Sequence, residues 1–248
     1  MPELAKLRTR VRTVVIPFGS LEEHGSHLPL GTDTFHALEL ARRVAQSGRV
    51  LVAPPVYYGL CRSTRDHPGT ISISGETLRA LALDLGREFH RQGMENLLFL
   101  SGHAGGTHMA ALVEAGERLL TELPRVKVAV VNVLDLLREV LSTRPDLIST
   151  RGDSHAGEVE TALMLASHPH LVQGRAPEEW PTFPKYILVR DKIRHWPGGV
   201  WGNPGKATAA QGEAILAAET ALLLEVISDL EGYEEEPPPP GGRVVMPG

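Results

Sequence analysis

The sequence predicts a layered α/β/α fold built on a mostly parallel central sheet, and three observations carry that expectation. Short β-branched runs alternate with amphipathic stretches of helical period along most of the chain. The connections between successive runs are long enough to hold a helix, as parallel neighbours require. The composition of the 248 residues, 42% hydrophobic and 22% charged, is that of a globular protein with a large core.

Taken in order, Arg12 to Phe18 (RTVVIPF) reads as a buried strand that runs straight into a polar loop. Thr34 to about Gln46 reads as a helix, with Asp33 or Thr34 placed to cap it and Gly48 to stop it. Arg49 to Val56 is a second strand, and Tyr57 to Ser74 has no period. Ser74 opens a helix to about Arg91 that carries Leu78, Leu81, Leu85 and Phe89 on one face. Asn96 to Leu100 is a third strand, followed by a helix from about His108 to Leu123 and a fourth strand from Val126 to Val133. Short helices are expected at Leu134 to Leu141 and Glu158 to Ala166, and a long one at Thr208 to Leu230. Between the last two, Leu171 to Asn203 holds four Pro and all three Trp without a clear period, with Tyr186 to Val189 as a candidate strand. Residues 1–232 are expected to form a single domain, and the Pro- and Gly-rich tail 233–248 to be extended or disordered.

A formal net charge of -5 with interleaved signs leaves no basic stripe for nucleic-acid phosphates. No segment approaches the apolar length of a membrane span, and the N-terminal MPELAKLRTRVR lacks the apolar run of a signal peptide. With Cys61 as the one cysteine, no internal disulfide can form, and a cytoplasmic location is expected.

The loop after the first strand concentrates chemistry. Between Glu22 and Asp33 lie two Glu, two His and one Asp within twelve residues, threaded through Gly25, Pro29 and Gly31. Glu22 and His24 are two apart, so an extended backbone turns both to one side. His, Glu and Asp together suit Zn, Mn or Fe. A solvated polar loop ending in a capping Asp is the plain alternative. The second cluster, Ser101 to His108 (SGHAGGTH), places His103 at a strand-to-helix junction. Ligands of such sheets bind beyond the carboxyl ends of the strands, so topology alone puts His103 beside Glu22 and His24. The third cluster, DSHAGEVET, sets His155, Glu158 and Glu160 around Gly157. Both acids also fit a helix first turn, where the helix dipole favours anions.

The clusters EEHGSHLPLGTD, SGHAGG and HAGEVET, in this order, resemble the creatininase (creatinine amidohydrolase) family, as do HPGTISIS at 67–74 and GNPGKATAAQGE at 202–213. The resemblance runs from about residue 12 to about 230. It implies a layered α/β fold, two divalent metal ions per chain (Zn, Mn or Fe), hydrolysis of a carbon–nitrogen bond and a homo-oligomer, commonly a hexamer. It makes Glu22, His24, Asp33, His103 and Glu160 the metal ligands, with Asp33 shared between the ions, and His155 the proton carrier. Glu158 is a candidate proton acceptor beside it. Where creatininases proper have a Tyr and then a metal-binding Glu after the histidine matched by His103, this chain has Ala104 and Gly105. Where they have a substrate-packing Trp, it has Arg151. These departures disfavour creatinine as substrate and resemble the formamide deformylases and peptide-trimming members.

The resulting expectation is a hydrolase that cleaves an amide, lactam or formamide bond of a small molecule through a dinuclear metal-activated hydroxide. The alternatives are a trimming peptidase of the same family and a non-catalytic metal-binding oligomer. His27 and His67 are candidates to line the pocket, and Cys61, with no catalytic signature around it, reads as inert.

Overall fold

A computed structural model describes residues 6, 7 and 9–234. Four strands, β1 (Thr13–Phe18), β2 (Val50–Val52), β3 (Asn96–Ser101) and β4 (Lys127–Asn132), form a sheet of order β2-β1-β3-β4. Every neighbouring pair is parallel, with Thr13 opposite both Val50 and Asn96, and Asn96 opposite Lys127. The helices are α1 (Thr32–Ala45), α2 (Gly75–Arg91), α3 (Gly106–Glu122), α4 (Val133–Thr143), α5 (Glu158–Ser167) and α6 (Ala209–Gly232).

Strand period divides the core. Val14, Ile16 and Phe18 of β1 and Leu97 and Phe99 of β3 face α2 and α3. Val15, Leu98 and Leu100 point the other way, into a cluster with α1, α4, α5 and α6. The sheet is therefore covered on both faces, which explains why its central strands read as unbroken apolar runs. The predicted α/β/α layering with a mostly parallel sheet is the observed architecture.

Some boundaries differ for identifiable reasons. The second strand shrinks from the predicted Arg49–Val56 to Val50–Val52, because Pro54 and Pro55 have no N–H to donate. The chain nonetheless follows β1, with Ala53 N–H donating to the Val15 carbonyl (2.9 Å) and Val56 N–H to that of Pro17 (2.9 Å). Pro17 thus turns its backbone toward the side where the ladder is already interrupted, and a proline is tolerated in a central strand. Tyr186 to Val189 is not a strand. Tyr186 has φ of +65°, and it and Leu188 are almost fully exposed with no strand beside them among the described residues. Most of the tail expected to be extended or disordered, residues 235–248, lies outside the described residues.

The long helix α6 is fixed by a capping box at Thr208 and Gln211, and packs closely on α5. Gly212 allows this contact, since a methyl group there would overlap the Ala162 carbonyl of α5. Among the described residues, no helix is long and apolar enough to cross a membrane. Gly212→Ala is expected to destabilise the fold by roughly 1–3 kcal/mol or more, as overpacking does. A lowered denaturant midpoint would report it, while an unchanged midpoint would show that α5 and α6 can separate without loss.

Candidate metal centre

The carboxyl ends of β1 and β3 lie side by side, and the polar clusters that follow them meet there, as the topology requires. Gly102 N–H donates to the Phe18 carbonyl (2.9 Å), joining the two exits. The first turn of α1 lies across this edge. Gly102 makes room for it, because any side chain there would collide with the Asp33 carbonyl. Helix α1 begins at Thr32 with Gly31 as its N-cap and no capping side chain, so Asp33 is not a cap. Its carboxylate turns into the cluster instead.

Asp33 faces two ways. Its Oδ1 is 3.1 Å from His24 Nε2, and its Oδ2 is 3.0 Å from His103 Nδ1 and accepts the Ser20 hydroxyl at 2.5 Å. Glu22 Oε2 approaches the same His103 Nδ1 at 2.8 Å, while its other oxygen accepts the Thr64 hydroxyl. On the opposite side, Glu160 Oε2 lies 3.7 Å from His24 Nε2. Two groups of metal-ligating atoms result, each within 4.8 Å: Glu22 and His103 with Cys61, and His24 and Glu160 with His155. Asp33 presents one oxygen to each.

Backbone carbonyls orient both imidazoles. His24 directs Nδ1 at the Glu22 carbonyl (3.1 Å), and His103 directs Nε2 at the Leu60 carbonyl (3.2 Å). In each ring this leaves the nitrogen that faces the carboxylates available as a donor, the arrangement in which metal-binding histidines are usually held. His155 is tied by Nε2 to the Glu23 carbonyl at 2.8 Å, with its ring centroid 4.3 Å from that of His24.

The electrostatics describe a site built for cations. Burial opposes ionisation of Asp33, but His24 and His103 outweigh it and hold the carboxyl well below its ordinary value. Burial likewise opposes the charge on His24, and Asp33 and Glu160 overcome it, pushing His24 up to about 10. His103 rises well above its ordinary value, with burial outweighed by Glu22 and Asp33. Without metal, protons on the two imidazoles supply the positive charge that these buried carboxylates demand. Divalent cations would displace those protons, so the donor set fits the metals it was expected to bind.

Glu158 is not brought to this cluster. Its carboxylate accepts from Ser149 N–H (3.0 Å), Thr150 N–H (2.7 Å) and Gln211 Nε2 (2.9 Å), fastening a loop and α6 to the start of α5. The proton-accepting role expected of it therefore has no geometric basis, and position in the sequence beside Glu160 was misleading because the two side chains leave the helix in different directions. Asp153 caps α5 by accepting Glu158 N–H (2.7 Å) and Val159 N–H (2.9 Å). His27 and His67 are buried, with Nε2 against Thr161 Oγ1 (2.8 Å) and the Trp196 carbonyl (2.7 Å) respectively.

Residues not singled out as site residues are Ser20, Thr64, Leu60 and Cys61. Three of them lie in the stretch 57–74 that has no period, so nothing in its pattern announces which side chains turn inward. The irregular segment 171–203 closes on the same site, with Trp201 paired to His155 through the backbone (Trp201 N–H to His155 carbonyl, 2.7 Å) and the Trp196 ring 5.1 Å from that of His155. A small cleft beside Glu160 is lined by Gly102, Ala104, Asp153, Ser154 and His36.

Comparison with known proteins shows the family of the chain. The family described as creatininase, creatinine amidohydrolase, matches residues 1–227. The chain belongs to the creatininase family. It is 33% identical over 219 residues to the mycofactocin precursor peptide peptidase of Mycobacterium ulcerans (strain Agy99), spanning 83% of this chain and 80% of that protein. It is 30% identical over 219 residues to the creatinine amidohydrolase of Pseudomonas putida, spanning 82% and 84%. A solved structure described as creatininase Mn superposes with a TM-score of 0.84 at 27% identity, covering 92% of this chain and 94% of that one. The protein is accordingly a metal-dependent hydrolase of the creatininase family.

The histidine shifts set a pH dependence for this creatininase-family chain when stripped of metal. His24 has an ordinary value of 6.5 and a folded one of about 10. Its contribution to stability is fully present below 6.5 and is lost as pH rises through about 10. Unfolding of chelator-treated protein should therefore show stability falling across that interval, with a shallower fall in His24→Gln. A flat profile in the unsubstituted protein would mean that His24 is neutral in the metal-free pocket.

Proposed function

We propose that this chain is a dinuclear amidohydrolase that cleaves the carbon–nitrogen bond of a small amide, formamide or lactam. The observation that carries this reading is Asp33, whose two oxygens face separate donor groups. Glu22, Asp33 and His103 would hold one cation, and His24, Asp33 and Glu160 the other. When bound, such a pair supplies Lewis acidity toward a carbonyl and lowers the pKa of water toward neutrality. Zinc and manganese are both supported as candidates by relatives described as creatininase Mn and as a creatininase variant of Zn–Zn type.

The protein's own residues supply orientation and protons. Ser20 and Thr64 hold Asp33 and Glu22 in place by donating to their carboxylates. His155 is anchored to the Glu23 carbonyl by one ring nitrogen, leaving the other to pass a proton to the departing nitrogen. Burial and His24 oppose its charge, but Glu23 and Glu160 prevail and raise its pKa, which suits an acid. Its side chain is largely enclosed, with the Trp196 ring against it, which limits the access of water to that proton.

Trimming of a short peptide is the second reading, and the 33% identity to a relative described as a peptide peptidase favours it. One relative is described as a peptide peptidase and another solved relative as complexed with creatine, so the two substrate classes both occur among similar proteins.

Metal analysis and turnover separate the roles. About two ions per chain are expected, reduced in Glu22→Ala, while His155→Ala should retain its metal and lose ~10²–10⁴-fold in turnover on a panel of formamides, lactams and short peptides. Loss of an ion in His155→Ala would reassign that residue as a ligand. Failure of the wild-type protein to take up metal would overturn the hydrolytic reading altogether.

A further inference from the structure

We infer that Cys61 is a thiolate ligand of the cation held by Glu22 and His103, making the two metal positions chemically unequal. The inference rests on the proposed metal centre and extends it to a residue that carries no recognisable catalytic motif. Cys61 is fully buried, and its sulfur lies within 4.8 Å of ligand atoms of both Glu22 and His103.

The placement of that sulfur is constrained on both sides. Cys61 N–H donates to Ser72 Oγ (3.0 Å). The preceding residue, Leu60, donates its N–H to His108 Nδ1 (3.2 Å) and accepts from His103 Nε2 (3.2 Å). The carbonyl that sets the tautomer of His103 is thus one residue from the thiol, and a single backbone segment positions two donors for one cation.

The donor count allows it. At this position Glu22, Asp33 and His103 would supply three donors and Cys61 a fourth, which leaves the position for the reacting water on the Glu160-side cation, where His24, Asp33 and Glu160 would supply three. Gly105 provides no side chain, and its backbone sits so close beneath the His103 ring that a side chain there would press on Nε2. Cys61 is the remaining ligating side chain within reach among the described residues. The other position has His155 beside it, so only the Glu22 position has a thiol. Binding would release the thiol proton to solvent as the metal–sulfur bond forms, leaving the oxidation state of both unchanged.

Oxygen, nitrogen and sulfur at one position against oxygen and nitrogen at the other implies selection. Thiolate favours zinc or iron over manganese, whereas carboxylate and imidazole accept all three.

The test is X-ray absorption at the zinc edge on the full chain, stripped and reloaded with zinc under a phosphine reductant, alongside Cys61→Ser. A zinc–sulfur shell at about 2.3 Å is expected beside shorter oxygen and nitrogen shells at about 2.0–2.2 Å. Because Cys61 is the one cysteine of the chain, a thiolate shell can arise from no other residue. Cobalt-loaded wild type should likewise show a thiolate-to-cobalt charge-transfer band that Cys61→Ser lacks. Two zinc ions bound with oxygen and nitrogen alone would overturn the Cys61 assignment and leave the dinuclear reading standing. No zinc uptake would overturn both. The wild-type spectra decide the matter even if Cys61→Ser folds poorly.

Discussion

The pairing of one buried carboxylate, Asp33, with two imidazoles is the interaction on which the rest of this site depends. Asp33 and His24 are both withdrawn from water, so each would be strongly disfavoured as an isolated charge. Together with His103, Glu22 and Glu160 they form a balanced set only when positive charge sits among them, whether as protons or as metal. The fold supplies the geometry that makes this possible, since α1 starts across the joined ends of β1 and β3 and Gly102 lets it come close.

Around this pairing, a rigid part and an adaptable part divide the work. Most proposed ligands follow strands or open helices: Glu22 and His24 after β1, Asp33 in the first turn of α1, His103 after β3 and Glu160 in α5. The surrounding wall comes from irregular segments that attach by individual hydrogen bonds, such as Thr64 to Glu22 and the Leu60 carbonyl to His103. Loops of this kind tolerate change while the sheet edge does not. That division accounts for a family in which relatives are described as acting on creatinine and on a precursor peptide.

The third cluster shows how neighbouring residues acquire different roles. Glu158 and Glu160 open the same helix, yet Glu158 is buried against Ser149, Thr150 and Gln211, while Glu160 reaches toward His24. Glu158, Asp153 and the Gly212 contact form the framework that aims Glu160 and His155. In this way α6, remote in sequence from every proposed ligand, braces the helix that carries Glu160.

The sequence by itself determined the layered fold, because hydrophobic period and helix punctuation are local properties: Val14 to Phe18, Asn96 to Leu100 and the Ser74 and Thr208 caps are legible from their neighbours alone. It also marked Glu22, His24 and His103, since polar, ligand-type residues at strand ends of a parallel sheet converge by topology, with Asp33 brought back to them by its Gly- and Pro-containing loop, whereas Glu160 was marked by the family resemblance alone. What only the tertiary structure decided lies where partners are far apart in the chain and contacts run through backbone groups. The orientation of Glu158 away from the cluster, the truncation of the second strand, the exposure of Tyr186 to Leu188 and the seating of Cys61 beside Glu22 and His103 are of this kind. No period records a carbonyl that meets a histidine 43 residues away, as Leu60 meets His103, so side-chain direction in those segments is set by packing and not by local pattern.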